Sequence, residues 1–180
     1  MDPGSASGDE DGSDHRADID AALHAALEQR RRGQHDAARS ALVVLAARAP
    51  AHAAVQYQAA CVHDALGLEA QAVPYYERAL ALDPTPVDAR GAYLGLGSTL
   101  RVLGRYAEAE AVLRAGLVRF AGAAELRTFL AMTLYNRGRA HEAMRLALGA
   151  IADTSADADV QALARAIRFY AEDLDRRWDA

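Results

Sequence analysis

Lysine is missing from this 180-residue chain, so all twenty basic side chains are arginine. With the alanine excess this points to a GC-rich, bacterial coding sequence. A single cysteine, Cys61, excludes an internal disulfide and fits a reducing compartment. Aromatic residues make up only 6% of the chain, which leaves alanine and leucine to build the core. No apolar run approaches the roughly 20 residues needed to span a bilayer. The N-terminus has no basic segment followed by an apolar stretch, so no signal peptide is expected and the chain reads as cytoplasmic.

Charge is unevenly placed. Residues 1–20 carry seven acids against Arg16, and the remainder is nearly neutral. A neutral body gives no electrostatic footprint for nucleic acid or an anionic membrane, and neither is expected as a partner. Residues 1–17, rich in Gly, Ser and Asp, cannot repay the entropy of ordering and are expected to be a disordered acidic tail.

What the chain does have is a period. Gly33, Gly67, Gly104 and Gly138 stand 34, 37 and 34 residues apart, each followed five residues later by alanine (Ala38, Ala72, Ala109, Ala143). Seven residues before each glycine is a small residue (Ala26, Ala60, Gly97, Ala131), and seventeen after it comes Pro50, Pro84, Ala121 or Ser155. Such a period marks an array of helical hairpins. The glycine ends each first helix in a left-handed conformation, and the small residue lets helices approach closely. The units run 19–52, 53–86, 90–123 and 124–157, within a repeat region of 18–157. Val87, Asp88 and Ala89 fall outside the frame, behind Thr85 and Pro86, and predict a third first helix longer by about one turn. Over 158–180, Val160, Leu163, Ile167, Tyr170, Leu174 and Trp178 form an apolar stripe, predicting one amphipathic helix that caps the array.

The second unit, AVQYQAACVHDALGLEAQAVPYYERALALDP, and the third, GAYLGLGSTLRVLGRYAEAEAVLRAGL, resemble tetratricopeptide repeats (TPRs). The likeness lies in the small eighth residue, the fifteenth glycine, the twentieth alanine, Tyr106, and the closing "RAL…LDP". The whole chain is similar to small stand-alone bacterial proteins of that family. The resemblance implies an all-α fold, a right-handed superhelical solenoid of four hairpins plus the C-terminal capping helix. It also implies a concave groove lined by the first helices. Unit one has Ala22 and Gln29 at bulky positions, so it is expected to pack least well.

Carried onto this sequence, the groove positions are Leu23, Tyr57, Leu94 and Thr128; Leu27, Cys61, Ser98 and Met132; and Arg30, Asp64, Arg101 and Tyr135. Tyr57, Asp64, Ser98, Arg101, Thr128, Met132 and Tyr135 are the candidate partner-binding residues. The last row reads either as an intramolecular ion-pair ladder or as ligand contacts. The Lys and Asn that grip a terminal carboxylate in chaperone-binding relatives have no counterpart here. Cys61 and His63 are about 200° apart on a helix and cannot share a metal ligand, so His63 is expected in the core. No Gly-rich phosphate loop, nucleophile elbow or metal-ligand spacing is present. The expectation is therefore a non-catalytic scaffold or adaptor without metal or cofactor, taking a protein or peptide segment. The alternatives are a self-associating module, such as a homodimer, and an accessory or small-ligand sensor using Tyr57, Ser98, Arg101 and Tyr135.

Overall fold

A computed structural model describes residues 8–177, in which all regular structure is helical. Four antiparallel hairpins follow one another: α1 (Gly8–Arg31) with α2 (His35–Arg48), α3 (Ala53–Ala65) with α4 (Glu69–Ala81), α5 (Pro86–Val102) with α6 (Tyr106–Arg119), and α7 (Ala124–Asn136) with α8 (Ala140–Thr154). Two short helices, α9 (Ala158–Ala162) and α10 (Ala164–Ala171), complete the chain. It divides into two compact units, Met1–Thr85 and Pro86–Ala180.

The four period-marking glycines close the first helices as anticipated, with φ between +69° and +76°. Each turn carries the same pair of bonds. Gly33 N–H donates to the Arg30 carbonyl at 3.0 Å and Gln34 N–H to that of Gln29 at 3.0 Å. The equivalent pairs use the carbonyls of Asp64 and His63, Arg101 and Leu100, and Tyr135 and Leu134. This is the Schellman arrangement, which satisfies carbonyls that a helix end would otherwise leave orphaned.

In the first unit the core is formed by Ile19 and Ala26 of α1, Leu42 and Leu45 of α2, and Val55 and Val62 of α3. Gln29 of α1 has a buried amide oxygen with no partner, at one of the two positions where the frame wanted apolar bulk. In the second unit Leu113, Leu126, Leu130 and Leu134 form a buried cluster with Ala131 and Ala143. Helices α5 and α6 touch at Gly97, where a methyl group would stand 2.5 Å from Leu113 Cγ. Helix α5 starts at Pro86 and has 17 residues against 13 for α3 and α7, the extra turn expected from the three frame-breaking residues.

Two expectations need correcting. Helix α1 begins at Gly8, inside the 1–17 stretch expected to lack order; residues 1–7 lie outside the described part. Once the turn bearing buried Ile19 is anchored, each added residue gains a backbone bond, so the helix propagates outward despite poor composition. The C-terminal segment is two helices broken at Leu163, not one. The α10 face turned to α8 is Ala164, Ile167 and Ala171, with Arg168 bonded to Asp153 at 2.6 Å. Small alanines permit the closer approach, and the arginine fixes the rotation. Leu163, Tyr170 and Leu174, expected to be buried, are consequently exposed, and Trp178 is outside the described residues.

Candidate functional site

In the first unit, helix α3 carries Tyr57, Cys61 and Asp64 along one stripe, at four- and three-residue spacing. All three are half-buried. Their organiser comes from the second helix of the hairpin. The buried Tyr76 of α4 donates its hydroxyl to Asp64 Oδ2 at 2.7 Å, contacts Cys61 Sγ at 3.8 Å, and places its ring 6.2 Å from that of Tyr57. Burial, reinforced by the neighbouring Cys61 and Asp64, pushes the Tyr76 hydroxyl well above its ordinary range, so it is a fixed donor. Burial likewise raises the Cys61 thiol, which stays protonated at neutral pH and is a poor nucleophile. Arg30 of α1 donates to Gln58 Oε1 of α3 at 2.7 Å, tying the two first helices together.

His63, expected in the core, is 2% exposed; its Nδ1 donates to the Ala59 carbonyl at 2.7 Å and its ring stacks on Tyr75. No cluster of three metal-ligating side chains occurs among the described residues.

In the second unit, α5 and α7 lie side by side, linked near their N-termini by a two-pronged Arg90–Glu125 ion pair that holds the Glu125 carboxyl below its usual range. Further along, Arg101 of α5 meets Met132 of α7, and both are half-buried, as is Ser98 one turn earlier on α5. Arg101 Nη2 stands 3.7 Å from Met132 Sδ, a weak acceptor, and its Nε is buried without a partner. Tyr135 is 69% exposed. Thr128 is exposed too, but its hydroxyl is turned back onto the Ala124 carbonyl of its own helix.

The opposite side of this unit is a charge network. Glu110 of α6 is 6% exposed and accepts from Arg114 and Arg139, each at 2.7 Å, and from Arg137. Glu142 of α8 bridges Arg114 and Arg139. Burial alone would push the Glu110 carboxyl up, but the bonds from Arg114 and Arg139 hold it below its ordinary value. These groups join α6 to the turn and start of the next hairpin, a structural role.

A repeated hairpin closed by glycine, with a small residue seven positions earlier, is the frame of one sequence family. The profile described as Tetratrico peptide repeat matches residues 52–174. The chain belongs to the tetratricopeptide repeat family. Among solved structures it is similar to MamA from Desulfovibrio magneticus RS-1 (residues 41 to the end; TM-score 0.66, 19% identity, 90% of this chain and 97% of that one). It is likewise similar to a MamA RS-1 double mutant (TM-score 0.64, 19% identity, 88% and 97%). No curated protein gives a match. TPR folds in general serve as protein-interaction scaffolds, and no helix among the described residues is long and apolar enough to cross a membrane.

Of the seven candidate residues, Tyr57 and Asp64 belong to the first unit and the other five to the second, where Arg101 and Met132 meet directly. Sequence reading missed Tyr76 and Gln58. Tyr76 stands nine residues after its glycine, where the first and third units have the buried leucines Leu42 and Leu113 and the fourth has Ala147. A hydroxyl in a leucine slot is the signal that could have found it, because a buried phenol must reach a partner.

Proposed function

We propose that this TPR protein is a non-catalytic adaptor that recognises a protein or peptide segment along the first-helix rows of its hairpins. Arg101 carries the reading. Arg101 is half-buried, with a buried Nε that has no partner and only a thioether within reach of Nη2. A cation held in this state gains more from an incoming acceptor than a solvated one does, and Arg and Tyr are the side chains that dominate interface energetics. In the first unit, Tyr57 and Asp64 are fixed in place by Tyr76, which preorganises them for contact.

Crosslinking with mass spectrometry identifies the partner, and titration with its segments measures affinity. Tyr57→Ala and Arg101→Glu should each weaken binding thirtyfold or more, about 2 kcal/mol, with helical content unchanged. Arg48→Gln, exposed in the last turn of α2, should bind normally. Full affinity in both row variants would refute the assignment. One observation favours self-association as a second reading: Leu163, Tyr170 and Leu174 are exposed at the C-terminal end, with Phe169 edge-on to Tyr170 at 5.5 Å. Light scattering at micromolar concentration decides between monomer and dimer.

A further inference from the structure

An open groove of about 760 Å³ runs between α2 and α4 in the first unit. Val43 and Ala46 line it from α2, Pro74 and Tyr75 from α4, and Gln56 and His63 from α3. The volume is that of a small-molecule site. The polar groups of α3 are already committed. The Gln56 amide donates to the Ala46 and Pro50 carbonyls at 3.3 and 3.4 Å, and His63 Nδ1 to the Ala59 carbonyl. At one end Arg78 reaches across from α4, its Nε donating to the Pro50 carbonyl at 3.3 Å.

The other end is different. Arg39 lies there half-buried, its Nε fully enclosed without a partner, and its guanidinium has no hydrogen-bond or ion-pair partner among the described residues. No acidic side chain lines the groove among the described residues. In the second unit Arg127 also has a buried Nε without a partner, but its Nη1 is bonded to Asp153, and Arg114 is bonded to Glu110 and Glu142. A half-buried guanidinium whose Nε has lost water gains from an acceptor that reaches its solvent-facing terminal nitrogens, and a carboxylate is the acceptor its forked donors match. Arg39 and Ala46 are roughly 10 Å apart along α2 at helical rise. The wall beside them, Val43, Ala46, Pro74 and Tyr75, is apolar.

We propose that this groove binds a small organic carboxylate with an apolar body of about six to eight carbons. Arg39 holds the charge and the α2–α4 wall takes the chain. A single cation at the head of a short apolar wall suits a small free acid. The site is separate from the first-helix rows, so either assignment can fail without the other.

The test is an NMR titration of the full chain with sodium hexanoate. Saturable shifts at Val43, Ala46 and Tyr75 are expected, while acetate, which lacks the body, and hexanamide, which lacks the charge, bind at least tenfold more weakly. Arg39→Gln should weaken hexanoate about ten- to hundredfold, the loss of a charge-assisted bond. Its thermal midpoint should hold or rise, because an unanswered buried donor has been removed; a merely structural arginine would lower it. Arg39→Lys should retain part of the affinity, and Arg48→Gln all of it. Absence of saturation up to the solubility limit would overturn the proposal. So would equal binding of hexanamide, unchanged binding by Arg39→Gln, or tighter binding of N-acetyl-Ala-Leu than of hexanoate, which would mark a peptide-terminus site.

Discussion

The same substitution, glycine to alanine, should shift stability in opposite directions at Gly97 and Gly149. Both lie inside helices, α5 and α8, where alanine is favoured by about 0.5–1 kcal/mol because glycine surrenders more backbone freedom on folding. At Gly149 nothing stands within 4 Å of the added methyl, so the propensity gain should appear whole. At Gly97 the methyl would meet Leu113 at 2.5 Å (Cγ) and 2.6 Å (Cδ2), and Leu113 is fully buried, in an interior where close packing resists displacement. Forcing an extra methyl into such a contact costs about 1–3 kcal/mol. A clash at Cγ, near the root of the side chain, belongs at the upper end, leaving Gly97→Ala destabilised by about 2 kcal/mol after the propensity gain. Urea unfolding should therefore show a midpoint increase for Gly149→Ala and a decrease for Gly97→Ala. The calorimetric shift for Gly97→Ala should be a fall of about 4–8 °C at 2–4 °C per kcal/mol. In a Leu113→Ala background the cost at Gly97 should vanish, a coupling of about 1–3 kcal/mol. If Gly97→Ala stabilised the protein as Gly149→Ala does, the close approach of α5 and α6 would be wrong.

Acid should unfold the second unit through its carboxylates. Glu110, Glu142, Glu125 and Asp153 are held below their ordinary values in the folded chain. Their contribution is therefore complete at neutral pH and is lost as pH falls below the ordinary carboxylate range, through the folded-state values. Glu110→Gln should lower stability by about 2 kcal/mol at pH 7, given arginine partners that are themselves partly solvated, and should flatten the loss on acidification measured by circular dichroism. Tyr76→Phe should cost about 1 kcal/mol in urea unfolding, from the lost bond to Asp64, with a steeper loss in partner affinity if the α3 stripe is preorganised by it. Tyr170→Ala, at an exposed position, should change stability by less than about 0.5 kcal/mol, and a shift in light-scattering mass would assign Tyr170 to an interface.

The hairpins were legible because their punctuation is local. A glycine forced to positive φ, a small residue at the crossing and a proline at the start of α5 each act through backbone sterics, which a sequence displays directly. What escaped reading was relational. Arg114 looks like a free surface arginine one turn after Glu110 until the next hairpin brings Glu142 and Arg139 to it. Tyr76 looks like core until its hydroxyl meets Asp64. At the C-terminus, periodicity found the amphipathic character of the segment but assigned the contact to its largest residues. The helix instead turned Ala164, Ile167 and Ala171 inward, because approach distance and the Arg168–Asp153 bond outweighed side-chain bulk. Arg39 gave no signal at all, since an unanswered guanidinium is defined by what fails to surround it.

The turn geometry has one more consequence. In every hairpin the carbonyl that receives the glycine N–H belongs to Arg30, Asp64, Arg101 or Tyr135, the residues at the same position of each first helix. Each such residue is thus held by its main chain to a joint that its side chain does not help build. At Arg30 and Asp64 the side chain also bonds to Gln58 and Tyr76, whereas at Tyr135 it stands exposed. An exposed side chain such as Tyr135 can therefore be exchanged while the glycine turn keeps its backbone in position, and the surface changes without the fold having to.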